Sequence, residues 1–390
     1  MFNRRSARAC LCYAALCSGL LLSWQYLTVR YNYNDDWTAL FHTGSALAVP
    51  AALTIENIYT FADSRGYDGQ FYHLIAHDPW LRAGFSASVD NPRLRWRRIL
   101  TPGLAYLAAG GQAAYIHASF VAVTLGFLFL GTYWLSRYCA CCHQSPAWGV
   151  CFAAVPAVVV SIDRLTIDLA LASLCVGFAL YAPAGRSGKL YPLLVLAPLA
   201  RETGLCLVAA CCLSAALERQ WMRAARLAST VAPYLAWAWF VHRHTAPDQT
   251  LWASWIPLQG ILNRTLQPAQ YAVTSQWLAK AAVYDYLALL GIWLSFALAF
   301  RQLWKNKSGV VEIAAALFAL FAMLLARADI WHGAYEFGRT MSPLLVWLGL
   351  LGLSRRYWWN LLPLAMFIPR LALQLQPQWS RIVSSWFAAG

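Results

Sequence analysis

The sequence predicts an all-α, polytopic integral membrane protein with about eleven spans, on three observations. Of 390 residues, 60% are hydrophobic and only 12% are charged, a composition outside the usual soluble range. Apolar runs approaching the roughly 20 residues that cross a hydrocarbon layer recur along the chain. Strand-like alternation is absent, so helices are left as the way to satisfy backbone polar groups in lipid. No fixed repeat or low-complexity tract divides the chain, which reads as a single polytopic domain, 1–390.

The first run, Cys10 to Val29, follows Arg4, Arg5 and Arg8, and no small-x-small cleavage pattern comes after it. A retained signal anchor with a cytoplasmic N-terminus is expected. Residues 30–112 form a first outer loop carrying interfacial helices. Within it, Arg30 to Arg98 is long enough to fold over the membrane, with a turn at Gly66, a helix from about Asp68 to Ala76 and a stop at Asp78 and Pro79. Ile99 to Ala109 is apolar but too short to span comfortably, so an interfacial helix is expected there. Further runs cover Ala113 to Leu135, Ala147 to Ile162 and Ile167 to Ala182. Leu190 to Leu217 is interrupted by Arg201 and Glu202 and reads as two short helices that turn back to the side they left. After Leu227 to Val241 comes a second outer loop, 242–282. Val283 to Phe300, Val310 to Ala326, Met341 to Leu353 and Trp358 to Leu373 complete the set.

Charge supports this topology. Arg137, Arg186, Lys189, Arg219, Arg223, Arg226, Arg301, Lys305, Lys307, Arg355 and Arg356 fall in inside loops, following the positive-inside preference. Most acids, including Asp35, Asp36, Glu56, Asp68, Asp163, Asp168, Glu202, Asp248, Asp285 and Glu336, fall on or near the outer side. The net charge of +14 is therefore topological, and nucleic acid is excluded as a partner. No cysteine lies in an outer loop, so no disulfide framework is indicated. Cys139, Cys141, Cys142 and His143 are either a metal-binding group or small residues at a helix end. Their spacing is not a zinc pattern.

Chemistry concentrates in GYDGQFYHLIAHDP, from Gly66 to Pro79. Asp68 and Tyr72 stand four apart and share a helix face; Asp68 is either a site carboxylate or the helix cap. Arg93, Arg95, Arg97 and Arg98 suit a phosphate clamp, since a guanidinium grips phosphate bidentately and stays charged, or they meet lipid headgroups. Arg201 and Glu202 either line a cavity or form a structural ion pair at a helix break. Glu336 and Arg339 either close the site from the far end of the chain or form a solvated loop pair. His73 and His77, also four apart, can share a metal with Asp78, although HLIAH lacks the glutamate of HExxH. No metal ligand set and no cofactor is assigned, and a divalent cation is compatible. Trp37, Trp80, Trp96, Trp252, Trp255 and Trp331 either stack on sugars or form an interfacial belt. Neither GxGxxG nor a P-loop is present.

The pattern D-x-x-x-Y-x-x-I-A, here Asp68, Tyr72, Ile75 and Ala76, resembles the first outer loop of the GT-C superfamily, polytopic glycosyltransferases that use polyprenyl-phosphate sugars. Arg95, Trp96, Arg97, Arg98 and Pro102 stand where that superfamily has a basic, proline-containing interfacial helix. Weaker echoes lie at Asp163 to Asp168, RETG at Arg201 to Gly204, and YEFGR at Tyr335 to Arg339. The resemblance implies inverting transfer of a sugar from a polyprenyl-phosphate donor to an envelope glycan, lipid or protein acceptor. Asp68 would be the general base, with Tyr72, Arg95, Arg97, Arg98, Arg201, Glu202, Glu336 and Arg339 binding substrate and Arg97 with Arg98 clamping the phosphate. It also implies a bacterial inner membrane with the site on the outer face. The family's acidic pair is not intact, because Gly69 follows Asp68, and Asp35 with Asp36 offers an alternative acid. A non-catalytic carrier or assembly partner for lipid-linked glycans is the other reading.

Overall fold

The structure, a computed structural model, describes residues 4–185, 187–247, 253–271 and 275–388; Arg186, Asp248 and Trp252 lie outside the described residues. The chain is 76% helical. Among the described residues, strand is confined to two short segments, Thr43–Gly44 and Thr60–Phe61, which pair in parallel within the first loop.

The N-terminal helix α1 (Arg4–Asn32) exposes Leu11, Leu16, Leu20 and Leu22 while burying Cys10, Ala14 and Cys17, an apolar exterior suited to lipid. The first loop then contributes α2 (Asp68–His77), α3 (Pro92–Arg97) and α4 (Leu100–Ala108), followed by the long α5 (Ile116–Cys141). At 1.5 Å per residue α4 is about 14 Å long, less than half a hydrocarbon layer, as its short run predicted. It buries Leu100, Thr101, Pro102 and Ala105 and exposes Leu104 and Leu107.

This loop is a folded body with its own core. Phe41, Tyr72, Ile75, Trp96 and Phe120 are buried together. Gln70 ties α2 to the strand pair, accepting from Gly44 N at 3.0 Å and donating to Arg65 O at 2.9 Å.

A 3-10 helix, Pro146–Ala154, meets α6 (Pro156–Arg164) at a 60° bend. There follow α7 (Asp168–Tyr181), α8 (Ser187–Ala200) and α9 (Leu205–Leu217). The break between α8 and α9 falls at Arg201 and Glu202, where two charges interrupt the apolar run. Next come α10 (Trp221–Ala228), α11 (Ala232–His244), α12 (Gln259–Leu266), α13 (Ser275–Lys305), α14 (Val310–Met323), α15 (Ala334–Arg355), α16 (Leu362–Ala365) and α17 (Ile368–Ala388). The main core lies among α5, α7, α8, α13, α14 and α15. At one edge α17 returns to α1, with Trp24 and Trp379 stacked at 6.4 Å.

Among the described residues, three helices are long and apolar enough to cross a membrane: Ser6–Asn32, Ala113–Cys141 and Gln276–Lys305. The bent pair at residues 146–164 makes a fourth if it counts as one span. Helices α7, α8 and α14 have 14 residues each, about 21 Å, short of a full hydrocarbon crossing. Boundaries differ from the sequence reading at several places: the expected run Trp358 to Leu373 is divided among the 3-10 helix Trp358–Leu361, α16 and the start of α17, and two shifts bear on the site. Helix α13 begins at Ser275, inside the expected second loop, and α15 begins at Ala334, so Glu336 and Arg339 stand on the first turns of a helix.

Asp285 anchors the C-terminal half. Completely buried on α13, it accepts from Arg264 at 3.0 Å, Tyr271 Oη at 2.6 Å, Arg370 at 3.2 Å and the Ala334 amide at 2.9 Å. A buried carboxylate is tolerated only with this degree of pairing. The shell joins α12, α13, α17 and the start of α15, and so sets where Arg339 emerges.

Candidate functional site

Asp68 is the first residue of α2, where a negative charge favours the helix N-terminus. Tyr67 occupies the cap position and makes no side-chain capping bond. The Asp68 carboxylate instead turns to two arginines, Arg95 at 3.0 Å from α3 and Arg339 at 2.5 Å from α15. Burial alone would raise this carboxyl, but Arg339 and Arg95 outweigh it and hold the group well below the usual carboxylate range.

Each arginine has a second partner. Arg95 forks onto Asp90 at 2.8 and 2.9 Å and lies 4.5 Å from the Phe71 ring centroid. Arg339 also reaches Asp168, at 3.3 Å, and sits 4.9 Å from the Tyr67 ring. Asp168 in turn holds Arg201, whose other nitrogen donates to Thr340 at 3.3 Å. Arg98 grips Glu202 bidentately at 2.9 and 2.5 Å and touches Tyr72 Oη at 3.4 Å. Adjacent residues at the α8–α9 break thus pair in different directions, Arg201 toward α7 and Glu202 toward the first loop.

These charges surround a polar cavity of about 50 Å³ lined by Asp68, Arg95, Arg98, Arg201, Glu336 and Arg339, with Asp329, Ile330 and Thr340 completing the wall. Glu336 Oε2 is buried there without a hydrogen-bond partner. The cavity is small, and its cationic side chains already hold carboxylates. An entering anion must therefore exchange with these pairs.

The structure brings together Asp68, Tyr72, Arg95, Arg98, Arg201, Glu202, Glu336 and Arg339. Arg97 points elsewhere, donating to the Arg93 carbonyl at 3.3 Å, so the two clustered loop arginines are Arg95 and Arg98. Arg93 bonds the His242 and Thr245 carbonyls. Asp35 makes an exposed pair with Arg30, and Asp36 caps the 3-10 helix Trp37–Phe41 through Thr38 N and Oγ1 at 2.9 and 2.7 Å. Neither lines the cavity. Asp78 does not join His73 and His77: its carboxylate accepts from the Arg82 and Ala83 amides at 2.7 and 3.0 Å. Among the tryptophans, Trp96 and Trp331 are core residues whose indoles donate to the Asp78 and Leu325 carbonyls, while Trp255 is almost fully exposed.

Asp168 stands in the sequence reading among the outer-side acids and in a weak echo of the superfamily, but not among the site residues. It shares Arg339 with Asp68 and so supplies a second carboxylate in space. An acid at position 69 is sterically barred: a Cβ there would collide with the Arg164 carbonyl oxygen and stand 2.8 Å from that of Phe41. The bare Gly69 lets α2 lie against the α6–α7 break, where Asp163 accepts from Tyr335 Oη at 2.5 Å and Gln378 Nε2 at 2.6 Å. Compared with known proteins, the chain matches no family model, no curated sequence and no solved structure.

Proposed function

We propose that this chain is a membrane glycosyltransferase of the GT-C kind, carrying a sugar from a polyprenyl-phosphate donor to an envelope glycan, lipid or protein acceptor. One observation carries the reading: Asp68, Arg95, Arg98, Arg201 and Arg339 line one cavity, and Asp168 stands behind it holding Arg201 and Arg339. In this reading the chain crosses a bacterial inner membrane about eleven times, with a cytoplasmic N-terminus and the site on the outer face. Donor and acceptor meet at the interface because the lipid tail stays in the bilayer.

The chemistry follows from the residue types. A departing polyprenyl phosphate needs charge neutralisation, which guanidinium forks provide bidentately. Asp68, ionised, accepts the proton of the acceptor hydroxyl as its oxygen attacks the anomeric carbon from the face opposite the phosphate, inverting the configuration. Two arginines hold Asp68 too acidic for an effective base while they face it. A donor phosphate that draws Arg95 or Arg339 toward itself raises the basicity of Asp68 at the moment substrate arrives. The cavity is too small for a sugar ring, so the phosphate exchanges into the arginine cluster and the sugar lies at its mouth.

Gly69 favours the second reading, a non-catalytic carrier or assembly partner, because the acidic pair of the superfamily is missing from the sequence. One experiment separates the two: mass spectrometry of lipid-linked and envelope glycans in cells with the native protein, no protein, or an equally abundant Asp68→Asn variant. The transferase reading expects Asp68→Asn to match the deletion, with one sugar missing from the glycan. A variant indistinguishable from native sinks it and leaves the carrier.

A further inference from the structure

Helix α2 carries a second cluster on another face. His73 lies five residues beyond Asp68, about 140° around the helix, and His77 one turn further on. They meet His117, from the first turn of α5, and Glu56, the last residue of the 3-10 helix Ala51–Glu56. His77 Nε2 stands 3.1 Å from His73 Nε2 and 3.5 Å from Glu56 Oε2, and that oxygen is 3.1 Å from His117 Nε2. One ligand atom from each residue lies within 4.8 Å of all the others.

A tetrahedral ion with bonds of about 2.0–2.1 Å sets its ligand atoms roughly 3.3–3.4 Å apart; three of the six separations, 3.1, 3.1 and 3.5 Å, lie near that edge, and the other three fall within 4.8 Å. Hydrogen bonding within the group does not account for it. Glu56 Oε2 and His117 Nε2 are buried and face each other at ion-pair distance without hydrogen-bond geometry, and two facing imidazole nitrogens can share only one proton. The setting is rigid: the Phe41 ring stacks on His73 with centroids 4.1 Å apart, and Phe120 packs edge-on against Phe41.

We propose that Glu56, His73, His77 and His117 bind one divalent transition-metal ion of the zinc class. Three imidazoles and one carboxylate suit zinc, cobalt or nickel and disfavour magnesium and calcium, which take oxygen ligands. Four protein ligands close the coordination shell, as in a structural site. The ion ties the 3-10 helix and α2 to α5, and so fixes the segment of the first loop that presents Asp68. The site stands apart from the glycosyl-transfer reading and is tested without it.

The experiment uses the full-length chain purified in detergent, with any affinity tag removed, from cells grown with added zinc or cobalt. Metal per chain is measured by inductively coupled plasma mass spectrometry after dialysis. About one ion per chain is expected, and the cobalt form should show the visible absorption of a four-coordinate site. His117→Asn and Glu56→Gln should each lower retained metal roughly tenfold or more, while His143→Ala, at the distant thiol cluster, should leave it unchanged. If either ligand variant fails to fold, the native protein decides: chelation should lower its thermal midpoint and zinc should restore it. Native protein with no ion above background overturns the proposal. So does metal that survives both ligand substitutions or departs with His143→Ala.

Discussion

Arg339 holds Asp68 at 2.5 Å, joining the start of α15 to the first turn of α2. Each keeps another counterion, Arg95 for Asp68 and Asp168 for Arg339. Removing either partner should therefore cost about 1.5–3 kcal/mol, less than the ~3–5 typical of stripping a buried charge of its whole partner set. Thermal unfolding of Arg339→Met, Asp68→Asn and the double variant checks this. Strict additivity would mean the pair does not act as a unit.

The two clustered loop arginines should separate from their neighbour in function. Arg98→Lys replaces a fork with a point charge and loses the bidentate grip on Glu202. Under the proposed function, sugar transfer should fall roughly 10- to 100-fold, the equivalent of one charged hydrogen bond. Arg97→Lys should stay near native in the same glycan measurement. The reverse order would return the phosphate clamp to Arg97.

Acid stability should carry the signature of Asp68. Its folded pKa lies below the unfolded value of about 3.9, so its stabilising contribution is complete above that value and is lost as pH falls toward the folded pKa. The stability difference between native and Asp68→Asn should be constant from pH 7 to about 5 and shrink as pH falls below about 4. A difference that already shrinks near pH 6 would contradict the arginine-held carboxylate.

Placing an acid at position 69, beside Asp68, should fail. Gly69→Glu drives a Cβ into the Arg164 and Phe41 carbonyl oxygens, which are backbone atoms and cannot rotate away. Folded protein should be lost, with Gly69→Ala already impaired, as read by the monodisperse fraction on gel filtration. A well-folded, active Gly69→Glu protein would show that α2 can shift from the α6–α7 break.

Local spacing made some of this legible in the sequence. Asp68 and Tyr72 share a helix face because they are four apart, and the α8–α9 break was visible as two charges in an apolar run. Arg95 and the residue just past the end of α3, Arg98, reach the cavity while Arg97 does not, a distinction that depends on where the helix stops. The start of α15 was hidden because Glu336 and Arg339 interrupt its hydrophobicity, and a run defined by apolar residues begins only at Met341. Helix lengths were equally hidden, since apolar runs do not reveal where a helix stops at 14 residues. Asp168 with Arg339, and Glu56 with His117, come together through tertiary packing and leave no local pattern.

The shell around Asp285 has a consequence for how the protein is made. Arg264 precedes Asp285 in the chain, but Arg370 follows it by 85 residues, which at roughly 5–20 residues per second means about 4–17 s of further synthesis. During that interval α13 carries an acid with only part of its escort, and the nascent chain offers quality-control proteases an unfinished interior. Ribosome-released chains ending before Arg370 should be cleared much faster than full-length protein in a pulse-chase experiment, and Asp285→Leu should lengthen their lifetime. Helix α17, through Arg370, would then act as the seal that ends the exposure of Asp285.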